Sequence, residues 1–191
     1  MWAVWCFLHS FLISKGFTAW LKRILGRRYG YSRLAYTFFS LVSLVPVIAY
    51  QLGLPETVIF SWPWPWSLLK YAMYGAALLL FYGGLRVYDV RYMLGLRQVL
   101  QLHRGEEPAS VPFSREGILN RVRHPWYSGA IIFVLAFGDV TDVSLVVKTV
   151  LSVYVVIGTL LEERKLAGEY GESYRAYRRE VPMFIPWIKR R

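Results

Sequence analysis

The sequence predicts an all-α, polytopic membrane protein with about five transmembrane helices, the amino terminus outside and a carboxy-terminal amphipathic helix in the cytoplasm. Three observations carry this. Of 191 residues, 55% are hydrophobic and only 18% charged, against about 25% charged in soluble domains, and mean hydropathy is +0.34. Several apolar stretches approach membrane length. All but two of the 23 Lys and Arg fall in alternate connections between those stretches. The composition excludes a soluble enzyme and a disordered tail. The single cysteine, Cys6, excludes an intramolecular disulfide and a cysteine-rich zinc cluster.

In chain order, the first span is expected over Trp2 to Ile13, with no basic region before it and Ser14-Lys15 in place of a small-residue cleavage site, so it reads as a retained helix rather than a leader. Lys15, Lys22, Arg23, Arg27, Arg28 and Arg33 follow it. The second span runs Leu34 to Leu52 and the third Ser67 to Leu85. Between these two, Ser61-Trp62-Pro63-Trp64-Pro65-Trp66 cannot be helix interior and reads as an interfacial aromatic belt. Segment 86–123 is again basic, with Arg86, Arg91, Arg97, Arg104, Arg115, Arg121 and Arg123. The fourth span, Trp126 to Gly138, and the fifth, Val143 to Leu161, form a hairpin. The first and fourth are shorter than the ~20 residues of a full span. They must borrow flanking residues, tilt or stop part-way.

The acidic residues Glu56, Asp139 and Asp142 mark the intervening connections. This alternation obeys the positive-inside rule at every loop. The net charge of +11 is therefore topological, with anionic membrane lipids rather than nucleic acid as its partner. The chain reads as a single domain, 1–191, in a multi-pass protein of the cell membrane. Within it, residues 1–85 and 86–191 make an amino-terminal and a carboxy-terminal half.

Two cytoplasmic segments are polar enough to carry chemistry. In the first, Pro125 suits a first helical turn, placing His124 at the mouth of the fourth span with Arg121 and Arg123 just before it. Such a mouth holds an anion such as a carboxylate. The second is Glu162-Glu163, an acidic pair that is costly at the end of an apolar helix unless something pairs with it. Beyond it, Leu166, Tyr170, Tyr174 and Tyr177 form one face of a continuing helix that Val181-Pro182 ends, and the default expectation for these tyrosines is interfacial anchoring. The hairpin brings His124 near the acidic pair. A zwitterionic cofactor with hydroxyls suits both ends. A metal does not, because one His and two Glu make a weak ligand set.

These residues resemble the isoprenylcysteine carboxyl methyltransferase and phospholipid methyltransferase superfamily. The resemblance lies in Arg123-His124-Pro125-Trp126-Tyr127-Ser128-Gly129 followed by Glu162-Glu163, and continues from Glu169-Tyr170-Gly171 to Ile185-Pro186. Upstream, His9-Ser10, Trp20-Leu21-Lys22 and Leu94-Gly95-Leu96-Arg97-Gln98 are similar to the methanethiol S-methyltransferase, or NnrU-like, branch. Val87-Tyr88-Asp89 and the turn Gly138-Asp139-Val140-Thr141 depart from that branch's pattern.

The resemblance implies methyl transfer from S-adenosyl-L-methionine to a small or lipophilic thiol, with carboxyl methylation of an isoprenylcysteine-like lipid as the alternative. It implies cofactor binding by Arg123, His124, Pro125, Tyr127, Gly129, Glu162, Glu163 and Tyr174, and catalytic positions at His9, Arg121 and Tyr127. A third reading, a haem-binding NnrU-like isomerase, would use His9 as haem ligand.

Overall fold

The computed structural model describes residues 1–106 and 113–186. Its helices are α1 (Trp2–Leu12), α2 (Lys15–Leu25), α3 (Ser32–Leu52), α4 (Trp66–Leu85), α5 (Val90–Met93), α6 (Leu96–Arg104), α7 (Pro125–Ala136) and α8 (Asp142–Glu180). Two short strands, β1 (Val58–Phe60) and β2 (Val140–Thr141), are the only non-helical regular elements among the described residues. The chain is thus a mostly helical membrane protein. The helical run Lys15–Leu52, α4 and α8 are each long and apolar enough to cross a membrane, while α1 and α7 are shorter apolar helices.

The chain divides into two compact units, Met1–Pro55 with Tyr88–Pro112, and Glu56–Val87 with Phe113–Arg191. In the first unit, Ser14 caps α2 by accepting from the Phe17 amide. Gly95, at φ +87°, lies against the backbone of Leu34, where a Cβ would strike it. Arg33 donates from Nε to the Met93 carbonyl at 3.0 Å. Asp89 caps α5 and pairs with Arg97 at 2.8 Å, and the Tyr92 amide and the Arg97 guanidinium hold its carboxyl below the usual range.

In the second unit, α4 packs on α7 through small residues. Ala77 and Gly84 of α4 and Gly129 of α7 are buried, and the Trp126 indole lies over Gly84, donating from Nε1 to the Phe81 carbonyl at 3.0 Å. Small residues are how apolar helices approach closely in lipid, where no hydrophobic drive acts between them. A Cβ on Gly84 would sit inside the Trp126 ring. Gly84→Ala is therefore expected to destabilise detergent-purified protein by about 1–3 kcal/mol, whereas Gly75→Ala, with nothing within 4 Å, leaves thermal unfolding unchanged.

The last carbonyls of α7 are met by side chains. Buried Lys148 donates to the Leu135 carbonyl at 3.0 Å and the Tyr74 hydroxyl to that of Ala136 at 3.2 Å, answering the unsatisfied groups of a helix end. Beside them β1 pairs antiparallel with β2. Thr141 then begins α8 with a capping box to Ser144.

Candidate active site

At 1.5 Å per residue, Asp142 to Leu161 rises about 30 Å, the thickness of a bilayer core. Glu162 and Glu163 therefore follow directly after the apolar span. Helix α8 continues to Gly171, whose φ of 59° and ψ of −131° lie off the helix in territory open to glycine. There the chain reverses. Tyr174 is 11 residues beyond Glu163, about 16 Å on a straight helix, yet its hydroxyl donates to Glu163 Oε1 at 3.3 Å.

Glu163 is 1% exposed, and the reversal closes around it. Oε1 accepts from Arg123 Nε at 2.6 Å and lies 3.1 Å from His124 Nε2, while Arg178 Nε stands 2.9 Å from Oε2. Burial raises the Glu163 carboxyl, but the hydrogen bonds from His124 and Arg123 and their charges overcome it and hold it at about 2. Burial and the Glu163 charge push the Tyr174 hydroxyl upward, and burial pushes that of Tyr177 up to about 12, so both stay protonated donors.

The tail also clamps the segment before α7. Arg123 Nη1 donates to the carbonyls of Arg178, at 2.9 Å, and Val181. The amides of Arg123 and His124 donate to Pro182 and Met183 at 3.0 and 3.2 Å, and Tyr177 to the Leu119 carbonyl at 2.6 Å. Tyr174, Tyr177 and Val181 form a buried cluster with Phe113 packed against it. The expectation of interfacial anchoring is thereby corrected for Tyr174 and Tyr177. Each is only 2% exposed, because Gly171 folds the tail onto the protein.

The remaining expected residues divide by accessibility. Pro125 opens α7 with His124 as its cap, and Gly129 packs under Phe81. Tyr127 stacks on His124 with ring centres 5.6 Å apart and keeps 37% exposure. Arg121 is exposed, while Arg123 is committed to Glu163 and the tail carbonyls. Glu162 is half-buried, and its Oε2 has no hydrogen-bond partner among the described residues.

The structure adds Arg175, Arg178 and Arg179. With Arg123 and residues 180–185 they line an open cleft of about 770 Å³. In the sequence they are only three of the eight Lys and Arg that follow Glu162 in a basic tail, because what assembles them is the reversal at Gly171. Arg175 and Arg179 also flank Glu172, at 3.6 and 2.7 Å. Lys189, Arg190 and Arg191 of that tail lie outside the described residues.

His9 belongs to the other unit. Its Nε2 lies 2.7 Å from the Tyr36 hydroxyl and its ring stacks on Trp5 at 4.8 Å. The cavity beside it measures about 30 Å³, which does not fit a haem.

The donor set of the second unit does fit S-adenosylmethionine. Guanidinium groups in the cleft suit its carboxylate, Glu162 Oε2 suits its hydroxyls or amino group, and the exposed Tyr127 face suits a sulfonium.

A family model described as NnrU protein matches residues 1–187. A methanethiol S-methyltransferase of Crocosphaera subtropica is 27% identical over 94% of this chain and 70% of its own length. Methanethiol S-methyltransferase 1 of Bradyrhizobium diazoefficiens is 28% identical over 97% of this chain and 64% of its own. A methanethiol S-methyltransferase of Pseudomonas deceptionensis is 34% identical over 51% of this chain and 37% of its own. This chain thus spans only part of each relative's length. No solved structure matches it.

Proposed function

Because the chain belongs to the NnrU protein family, we propose that it is a multi-pass, S-adenosylmethionine-dependent methyltransferase of the cytoplasmic membrane, acting on a small thiol such as methanethiol. The observation that carries the reading is the match, along almost the whole chain, to relatives named methanethiol S-methyltransferase. The donor set beside Glu163 supports it chemically.

When bound, the cofactor supplies an electrophilic methyl group. Arg178 and Arg121 hold its carboxylate at the cytosolic mouth, Glu162 takes its hydroxyls or amino group, and Tyr127 lays its ring face against the positive centre. His124, Pro125 and Gly129 fix that mouth, and Arg123, Glu163 and Tyr174 lock it to the tail. Holding reactants at near-attack distance supplies most of what a direct displacement needs. The acceptor reacts as its thiolate, which cationic surroundings favour by lowering the thiol pKa; its sulfur forms the new S–C bond as the bond between that methyl and the sulfonium breaks. His9 acts on the acceptor side.

Binding of S-adenosylmethionine to detergent-purified protein, followed by a radiolabelled methyl assay over thiol, isoprenylcysteine and lipid acceptors, tests the reading. Labelled dimethyl sulfide from methanethiol is expected. Label only in a carboxyl ester would replace the thiol by the lipid acceptor.

The topology we propose has five passes, with α1 and α7 as the short ones and the amino terminus outside. Reporter tags within 15–33, within 86–123 and after Arg191 are expected on the cytoplasmic side and one beside Glu56 outside. A cytoplasmic signal beside Glu56 would overturn it.

A further inference from the structure

The chain carries six Lys and Arg before its first acidic residue, Glu56. Of these, Arg33 is spent inside the first unit, on the Met93 carbonyl and over the Tyr92 ring at 4.9 Å. The other five are Lys15, Lys22 and Arg23 of α2 and Arg27 and Arg28 of the 3-10 turn Gly26–Tyr31 that follows it, all exposed. No ion pair among the described residues includes any of the five. By contrast, the exposed Arg175 and Arg179 share Glu172.

The topology of the first unit says where these cations lie. Trp2, Trp5 and His9 of α1 meet Gln51, Ser43 and Tyr36 of α3, so the two helices run antiparallel and the end of α1 lies beside the start of α3. The stretch between them leaves and returns at that one end. Eleven residues carry α2 about 16 Å, Gly26 at φ 52° ends it, and the 3-10 turn leads back. On the helical wheel Phe17, Trp20, Leu21 and Ile24 fall on one side of α2, opposite Lys15, Lys22 and Arg23. Trp20 and Ile24 are 54% and 60% exposed. Phe11 of α1, Phe17 and Trp20 stack in turn at 5.4 and 5.5 Å, which continues the apolar surface of α1 onto α2.

We propose that α2 lies in the plane of the membrane surface and that Lys15, Lys22, Arg23, Arg27 and Arg28 form a binding site for the headgroup phosphates of anionic phospholipids. A helix that sets Trp and Ile into the acyl boundary holds its basic side at the level of the headgroups. The chain supplies these five charges with no carboxylate among the described residues, so their counter-charge comes from the lipid. Nucleic acid does not fit a basic face whose reverse side is a continuation of the bilayer-facing α1. The site is independent of the methyltransferase reading, and its test involves no cofactor.

The experiment measures binding of acyl-labelled fluorescent phosphatidylglycerol to the full-length protein in detergent, against the same label on phosphatidylcholine. The parent should prefer phosphatidylglycerol by about tenfold or more. Each Lys or Arg near an anionic surface contributes about fivefold. Arg27→Gln with Arg28→Gln, and separately Lys22→Gln with Arg23→Gln, should therefore weaken phosphatidylglycerol binding about 25-fold with thermal unfolding unchanged. Arg175→Gln with Arg179→Gln removes equal charge from guanidiniums already paired, and should stay within about threefold of the parent. Equal losses from all three double variants would reduce the effect to net charge and overturn the site, as would a parent with no preference between the lipids. Displacement of the labelled lipid by millimolar inorganic phosphate would make it a free-anion site instead. In lipid nanodiscs, nitroxide labels on Ile24→Cys and Lys22→Cys, each in a Cys6→Ser background, should report lipid and water respectively. The same environment at both would overturn the in-plane helix.

Discussion

Glu163→Gln is expected to destabilise the protein by about 3–5 kcal/mol, the cost of breaking a buried ion pair by removing one partner, and to abolish S-adenosylmethionine binding with it. The carboxylate receives Arg123, His124 and Tyr174 on one oxygen and faces Arg178 with the other. An amide of equal size turns a donor toward one of these cations and strands the buried Arg123 without a counter-charge. The tail from Tyr174 to Met183, which holds the mouth of α7 through Arg123, His124 and Leu119, then loses its anchor. The readouts are thermal unfolding by circular dichroism and limited proteolysis of the tail.

The pH dependence follows from the same group. Its folded value of about 2 lies below its ordinary 4.5, so its contribution is complete above 4.5 and is lost as pH falls toward 2. Parent protein should therefore keep a protected tail above about pH 4.5 and lose that protection progressively as pH falls from there toward 2. The Gln variant should show no such acid limb. A variant that melts with the parent and keeps a protected tail would mean that Glu163 is not the lock.

Much of this site was legible because its residues are local in sequence. The Arg123-His124-Pro125 run announces a helix start, and Glu162-Glu163 stands out as charge at the end of an apolar segment. The ends of α3 and α4 were equally readable from hydropathy. What the pattern concealed was long-range. Gly171 sits within Glu169-Tyr170-Gly171-Glu172 as an ordinary, tolerated helix glycine, and nothing local announces its positive φ. Without that reversal the tyrosines read as interfacial anchors, and Arg175, Arg178 and Arg179 are only part of the basic segment that follows Glu162. The β1–β2 pair escaped for a different reason, since strands of three and two residues are too short to show alternation. Gly84 under Trp126 required knowing which helices touch.

The two adjacent carboxylates are expected to part company when Glu162 is replaced by Gln. Glu162 is only half-buried, makes none of the ion pairs that hold the tail, and keeps an oxygen without a partner among the described residues. Gln preserves its volume and helix propensity, so unfolding should stay within about 0.5 kcal/mol of the parent. Cofactor binding should not. A hydrogen bond to a charged group contributes roughly 1.5–3 kcal/mol, which is tenfold or more in S-adenosylmethionine affinity at about 1.4 kcal/mol per decade. Calorimetric titration of the folded variant checks this, with Glu163→Gln as the comparison that loses fold and binding together. If Glu162→Gln binds the cofactor as tightly as the parent does, Glu162 is not a ligand and the polar end of the cofactor lies wholly with the arginines of the cleft. If it instead unfolds as Glu163→Gln does, the division of labour between lock and ligand is wrong.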